Sequence, residues 1–135
     1  TIITLVYLAI QIRENTYTSK RAVLDEHVDR VGRWMASVRA DQESTALLIR
    51  GNTQFDTFSD DDKFRFHLML AEFLIYCEAA LDHAAADGLK SESAVSTQHH
   101  IRRLLSGDGA KKWWRDYGRK SFASDFSHVV DELIY

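Results

Sequence analysis

The chain has 135 residues, a net charge of −3, 45% apolar and 27% charged residues. That is one domain's length with ordinary globular composition, which argues against a disordered chain and against a global electrostatic pull toward nucleic acid or anionic lipid. A single cysteine, Cys77, excludes an intrachain disulfide, and the absence of proline favours long uninterrupted helices.

The chain opens TIITLVYLAIQI, eleven of whose twelve residues are apolar or threonine, before Arg-Glu-Asn-Thr at 13–16. Ile3, Ile10, Tyr17, Leu24, Val31 and Val38 recur every seven residues, with Val28 and Met35 beside them. That spacing predicts one long helix over about 2–40, apolar all round before Arg13 and amphipathic after Thr18. Its heptad seam, Ile3, Ile10, Tyr17, Leu24 and Val31, is a candidate surface for a second copy or another protein. The first residue is threonine, so residues 1–12 read as the C-terminal part of a longer hydrophobic anchor. Alone they span about 18 Å, short of a hydrocarbon core of roughly 30 Å.

A short helix is expected over 42–50, stopped by Gly51-Asn52, followed by a loop (53–58) pinned by Phe55 and Phe58. Ser59 then caps a central helix over 60–86, with Asp60, Asp61 and Asp62 favoured in its first turn. Phe66, Leu70, Phe73, Leu74, Cys77, Leu81 and Ala84 share its core face, and Asp87-Gly88 ends it. A fourth helix runs from Ser91 or Ser93 to Leu105, and Gly107-Asp108-Gly109 breaks the chain, Gly107 as a stop and Asp108 as an N-cap. A fifth helix carries Ala110, Trp113, Trp114 and Tyr117 as an apolar stripe, and a sixth spans about 123–134. No segment alternates in the manner of a strand. The expected fold is an all-α bundle of five to six helices in a single domain, 1–135.

No metalloprotease, nucleophile-elbow, paired-cysteine or dinucleotide signature occurs, so no catalytic residue and no cofactor is nominated. GDGAKK at 107–112 lacks the preceding strand and the Lys-Ser/Thr ending of a phosphate loop. Glu78 and Asp82, one turn apart, are the only candidates for holding a hard cation, and no histidine joins them on that face. Cys77, among apolar neighbours, reads as a small core residue rather than a nucleophile. A polar pocket near Glu72, Tyr76, Glu78, Asp82 and His83 is the alternative that would make the bundle a ligand-binding or enzymatic one. The segment 102–120 interleaves Arg102, Arg103, Lys111, Lys112, Arg115, Arg119 and Lys120 with aromatic residues. Such a pattern grips phosphates or anionic lipid when its aromatic residues are free. The i, i+3, i+4, i+7 spacing favours instead a stripe packed inward with the charges as its wet side. Adjacent tryptophans nevertheless diverge by about 100°, so one of them could stand at the edge, with Trp114 beside Arg115 and Arg119 the candidate.

Tyr7 to Thr16, YLAIQIRENT, resembles a phrase (YLAxQIRxNT) typical of a widespread family of uncharacterised bacterial helical proteins of similar length. The resemblance extends through Leu-Ile-Arg-Gly at 48–51, the Ser-Asp-Asp-Asp start at 59–62, Phe-Arg-Phe at 64–66, Trp113-Trp114 and the closing Phe126…Val130-Asp131-Glu132-Leu133. The chain departs from that pattern in lacking the start of the hydrophobic segment and in carrying Ala123-Ser124 where a proline is usual. The resemblance implies a membrane-proximal helical protein and supplies no activity. The expectation is therefore a non-enzymatic domain for protein–protein interaction or assembly at the bacterial inner membrane, with a soluble cytoplasmic protein as the alternative. Arg13, Lys20 and Arg21 beyond the apolar run place the domain on the cytoplasmic side. Nucleic acid is not expected as a partner.

Overall fold

The computed structural model describes residues 1–86 and 92–135. Six α-helices make up the described fold: α1 (Ile2–Ala40), α2 (Gln42–Gln54), α3 (Asp60–Ala86), α4 (Glu92–Leu104), α5 (Asp108–Trp113) and α6 (Ser124–Ile134). Among the described residues there is no strand, and the bundle and its long first helix are as the periodicity predicts. The expected ends at Asp87-Gly88 and the cap at Ser91 lie outside the described residues; Ser93 falls inside α4.

The core gathers around α3, which packs along α1 on one side and α4 on another, while α5 packs on α2 and α6 on α4. Helix α3 starts as its sequence dictates: the Ser59 hydroxyl accepts from the Asp62 N–H at 3.2 Å, with the three aspartates in the first turn. Its apolar face is buried at Phe66, Leu70, Phe73, Leu74, Cys77 and Ala84, with Leu81 packed against it. Ring contacts link Phe58, Phe55, Phe66, Trp113, Trp114, Phe122 and Phe126 through the interior. Trp34 of α1 joins the same core by packing tilted against Phe73, with ring centroids 4.9 Å apart.

Two expectations about glycine are corrected. Helix α2 does not stop at Gly51-Asn52 but continues to Gln54, and Phe55–Thr57 form a 3-10 turn rather than an open loop. Gly51 is needed for contact: a Cβ there would press on the buried Phe66 ring. Gly107 and Gly109 are likewise contact residues. A Cβ on Gly107 would lie 2.5 Å from the Asn52 carbonyl oxygen, and one on Gly109 would overlap the Gly51 carbonyl oxygen. Helices α2 and α5 thus meet backbone to backbone. The N-cap of α5 is Gly107, not Asp108, which occupies the first helical turn.

After Trp113 the helix widens into a π turn (Trp114–Gly118) and ends in a 3-10 turn (Arg119–Ser121). The wider turn breaks the regular stripe. Trp113 and Trp114 are both fully buried, whereas Tyr117, expected to point inward with them, is half exposed. Gly118 lies under the Trp113 indole, where a Cβ would meet the ring at 2.7 Å.

Candidate functional site

The seam of α1 divides at its middle. Ile3, Ile10 and Tyr17 are 82%, 48% and 56% exposed, whereas Leu24 and Val31 are 0% and 3% exposed. Leu24 packs with Ala80 and Ala84 of α3, and Val31 joins the main core, so neither belongs to an outward surface, contrary to the expected continuous seam. From Thr1 to Ser19 every residue is exposed except Gln11, which is half-buried. This stretch of α1 projects about 27 Å, taking 1.5 Å per residue for Ile2 to Ser19.

Its root is a polar junction between α1 and α3. His83 donates from Nε2 to the Lys20 carbonyl oxygen at 3.0 Å, which leaves its Nδ1 unprotonated in the neutral ring. The His27 ring lies 5.8 Å from that of His83, and its buried Nδ1 has no hydrogen-bond partner. Burial, then the nearby Arg30 and His83, holds the His27 pKa below the ordinary histidine value.

The expected polar pocket does not assemble. Glu72, Tyr76 and His83 face α1; the Tyr76 hydroxyl donates to Glu72 Oε1 at 3.0 Å, above an open depression shared with Arg30, Arg33 and Trp34. Glu78 and Asp82 point to the other side of α3, because six residues along a helix rotate a side chain by roughly 240°. Glu78 is half-buried near the Ala123 backbone, its Oε2 lacks a partner, and burial with Asp82 beside it raises its pKa. Among the described residues no group of three His, Cys, Asp or Glu side chains converges on a point where a metal could sit. Cys77 is fully buried, and burial raises its thiol pKa far above the ordinary range, so it carries no thiolate.

The basic segment is also committed internally. Trp114 is not at an accessible edge: its Nε1 donates to Asp131 Oδ1 at 2.8 Å, and Arg119 grips Oδ2 of the same carboxylate at 2.9 Å. Arg115 pairs with Asp116, Lys112 with Asp56, and Arg102 donates to the Leu133 carbonyl. The indoles are therefore closed to stacking, and several of the charges are already partnered. Trp113 donates from Nε1 to His67 Nδ1 at 3.2 Å, in the wall of a cleft of about 380 Å³. The Lys63 ammonium lies there over the Phe55 ring, 5.7 Å from its centroid.

Asp131 falls in the closing phrase of the resemblance, but its pairing with Trp114 and Arg119 has no local signal in the sequence, since those partners lie 17 and 12 residues away. A second cleft, lined by Arg39 of α1 and Arg103 of α4, was equally hidden because 64 residues separate the two. No family model, no curated protein and no solved structure matches the chain.

Proposed function

We propose that the chain is a non-enzymatic helical domain seated at a membrane by the N-terminal half of α1, with the bundle on the cytoplasmic side. One observation carries this reading: Ile2, Ile3, Leu5, Val6, Leu8, Ile10 and Ile12 are all exposed and spread over more than half of the helix circumference. A protein partner covers one face of a helix, whereas acyl chains cover every face it immerses. The apolar run from Ile2 to Ile12 is about 16 Å long, roughly half of a ~30 Å hydrocarbon core. No helix among the described residues is long and apolar enough to cross a membrane. Arg13, Lys20 and Arg21 follow directly, where an anionic cytoplasmic leaflet attracts basic side chains. The resemblance of Tyr7–Thr16 to a membrane-proximal bacterial family points the same way.

Flotation with vesicles containing anionic lipid tests the proposal. The chain rises with the vesicles, and Ile3→Glu/Ile10→Glu keeps it at the bottom of the gradient. Wild-type chain that stays at the bottom at low salt refutes the membrane seat.

A second reading rests on the seven-residue spacing of Ile3, Ile10 and Tyr17, all exposed on one side of α1. In water without lipid, two copies pair along this stripe. Sedimentation should then show a concentration-dependent dimer that Ile10→Glu dissociates; a monomer at every concentration disposes of it.

A further inference from the structure

At the end of α1 opposite its apolar tip, α1, α2 and α4 leave between them a cleft of about 440 Å³. That volume lies within the range of small-molecule sites, about 300–1,000 Å³. Its floor is apolar: Met35, Val38, Leu48 and Leu104 are partly buried there, over the edge of the buried Trp34. Thr45, the one hydroxyl in the lining, is already committed, donating to the Val38 carbonyl at 2.7 Å. The floor therefore offers surface for hydrocarbon and no free hydroxyl to orient a polar ligand.

The rim has the opposite character. Arg39 comes from the last turn of α1 and Arg103 from the last turn of α4, both exposed. Among the described residues neither guanidinium has a carboxylate within 4.0 Å, although Arg21, Arg30, Arg50, Arg65, Arg115 and Arg119 all do. The third rim group, His100, is half-buried and contacts the Ser96 hydroxyl at 3.5 Å. No acidic side chain lines the cleft. Two unpaired guanidinium groups over a hydrocarbon floor match a ligand with an apolar chain and an anionic head, because a planar fork binds a carboxylate through paired hydrogen bonds.

We propose that this cleft binds a single-chain anionic amphiphile, a fatty-acid carboxylate, with its chain along the α1–α4 floor and its head held by Arg39 and Arg103. The site is separate from the apolar tip of α1 and does not depend on a membrane seat.

Calorimetric titration of the full chain with laurate below its micelle concentration gives saturable binding of one molecule per chain. Arg39→Gln/Arg103→Gln weakens it about tenfold or more, Arg39→Lys/Arg103→Lys, which keeps the charges but loses the fork, falls between that pair and wild type, and dodecanol binds no better to wild type than to the Gln variant. Both arginines are exposed, so circular dichroism of the variants matches wild type. Ile3→Glu/Ile10→Glu, which removes the apolar tip, leaves laurate affinity unchanged. Affinity unaltered by the Gln pair, or lost with the tip variant instead, overturns the proposal. Retained laurate binding in a chain that fails to float leaves the cleft standing and removes only the membrane seat.

Discussion

Replacing a single hydrogen by a methyl group at two glycines should move stability in opposite directions. At Gly109 the new Cβ would overlap the Gly51 carbonyl oxygen and lie 2.9 Å and 3.0 Å from the Asn52 carbonyl carbon and oxygen. All three neighbours are backbone, so no side chain can swing aside, and α2 and α5 must move apart. Overpacking costs about 1–3 kcal/mol, and a rigid obstacle puts this case at the upper end. Alanine returns up to about 1 kcal/mol of helix propensity, which leaves a net loss of about 2 kcal/mol. With an unfolding entropy of about 2.1 cal/mol/K per residue, that loss lowers the melting midpoint of a chain this long by about 7 °C. At Gly32, in the middle of α1, a Cβ meets nothing within 4 Å. Gly32→Ala therefore keeps only the favourable part and raises the midpoint by about 2–3 °C. Thermal melts followed by far-ultraviolet circular dichroism decide it. If Gly109→Ala melts with the wild type or above it, the backbone contact between α2 and α5 is not as close as described.

Trp114→Phe shrinks a fully buried ring and removes the donor to Asp131, and urea denaturation should register a loss of about 2–4 kcal/mol. Cys77 should resist a thiol reagent at mildly alkaline pH in the folded chain and react at once in denaturant, since burial keeps the thiol protonated and covered; prompt native-state labelling would contradict this. The folded state raises the Glu78 pKa above its ordinary 4.5, so it binds that proton more tightly than the unfolded chain does. The stability this confers is complete below pH 4.5 and is lost as pH rises through the raised value. Glu78→Gln therefore raises the melting midpoint at neutral pH, and the advantage disappears in acid. Ile3→Glu/Ile10→Glu leaves the midpoint of the bundle unchanged in the monomer, because neither side chain is buried; a large drop would mean that the tip packs on the domain.

The sequence announces what is periodic. Seven-residue recurrence and the lack of proline place α1 over about 2–40, where it is found, and Ser59 with its three aspartates marks the start of α3. Punctuation is where it misleads. Gly51 looks like a helix stop because glycine has that local use, yet α2 runs through it, and the residue is set by the Phe66 ring, distant in sequence, which comes too close for a Cβ. Tyr117 fails for a related reason: a π turn resets the phase of a stripe that a uniform wheel carries forward. The heptad seam is continuous in sequence, and only tertiary packing decides that Leu24 and Val31 go inside while Ile3 and Ile10 stay out. The Asp131 anchor and the Arg39–Arg103 rim depend on residues brought together from separate helices, which no local pattern encodes.

Helix α1 is also a ruler. It runs unbroken from the apolar tip through the His83 junction to Arg39, and Arg13 and Arg39 stand about 39 Å apart along its axis. No proline interrupts that length, and its single glycine, Gly32, lies where the helix is braced against α3. Whatever surface receives the tip, the cleft at the far end is carried at a set height and heading, like a lamp on a post rather than a float on a tether. Gly32→Ala would stiffen the post further.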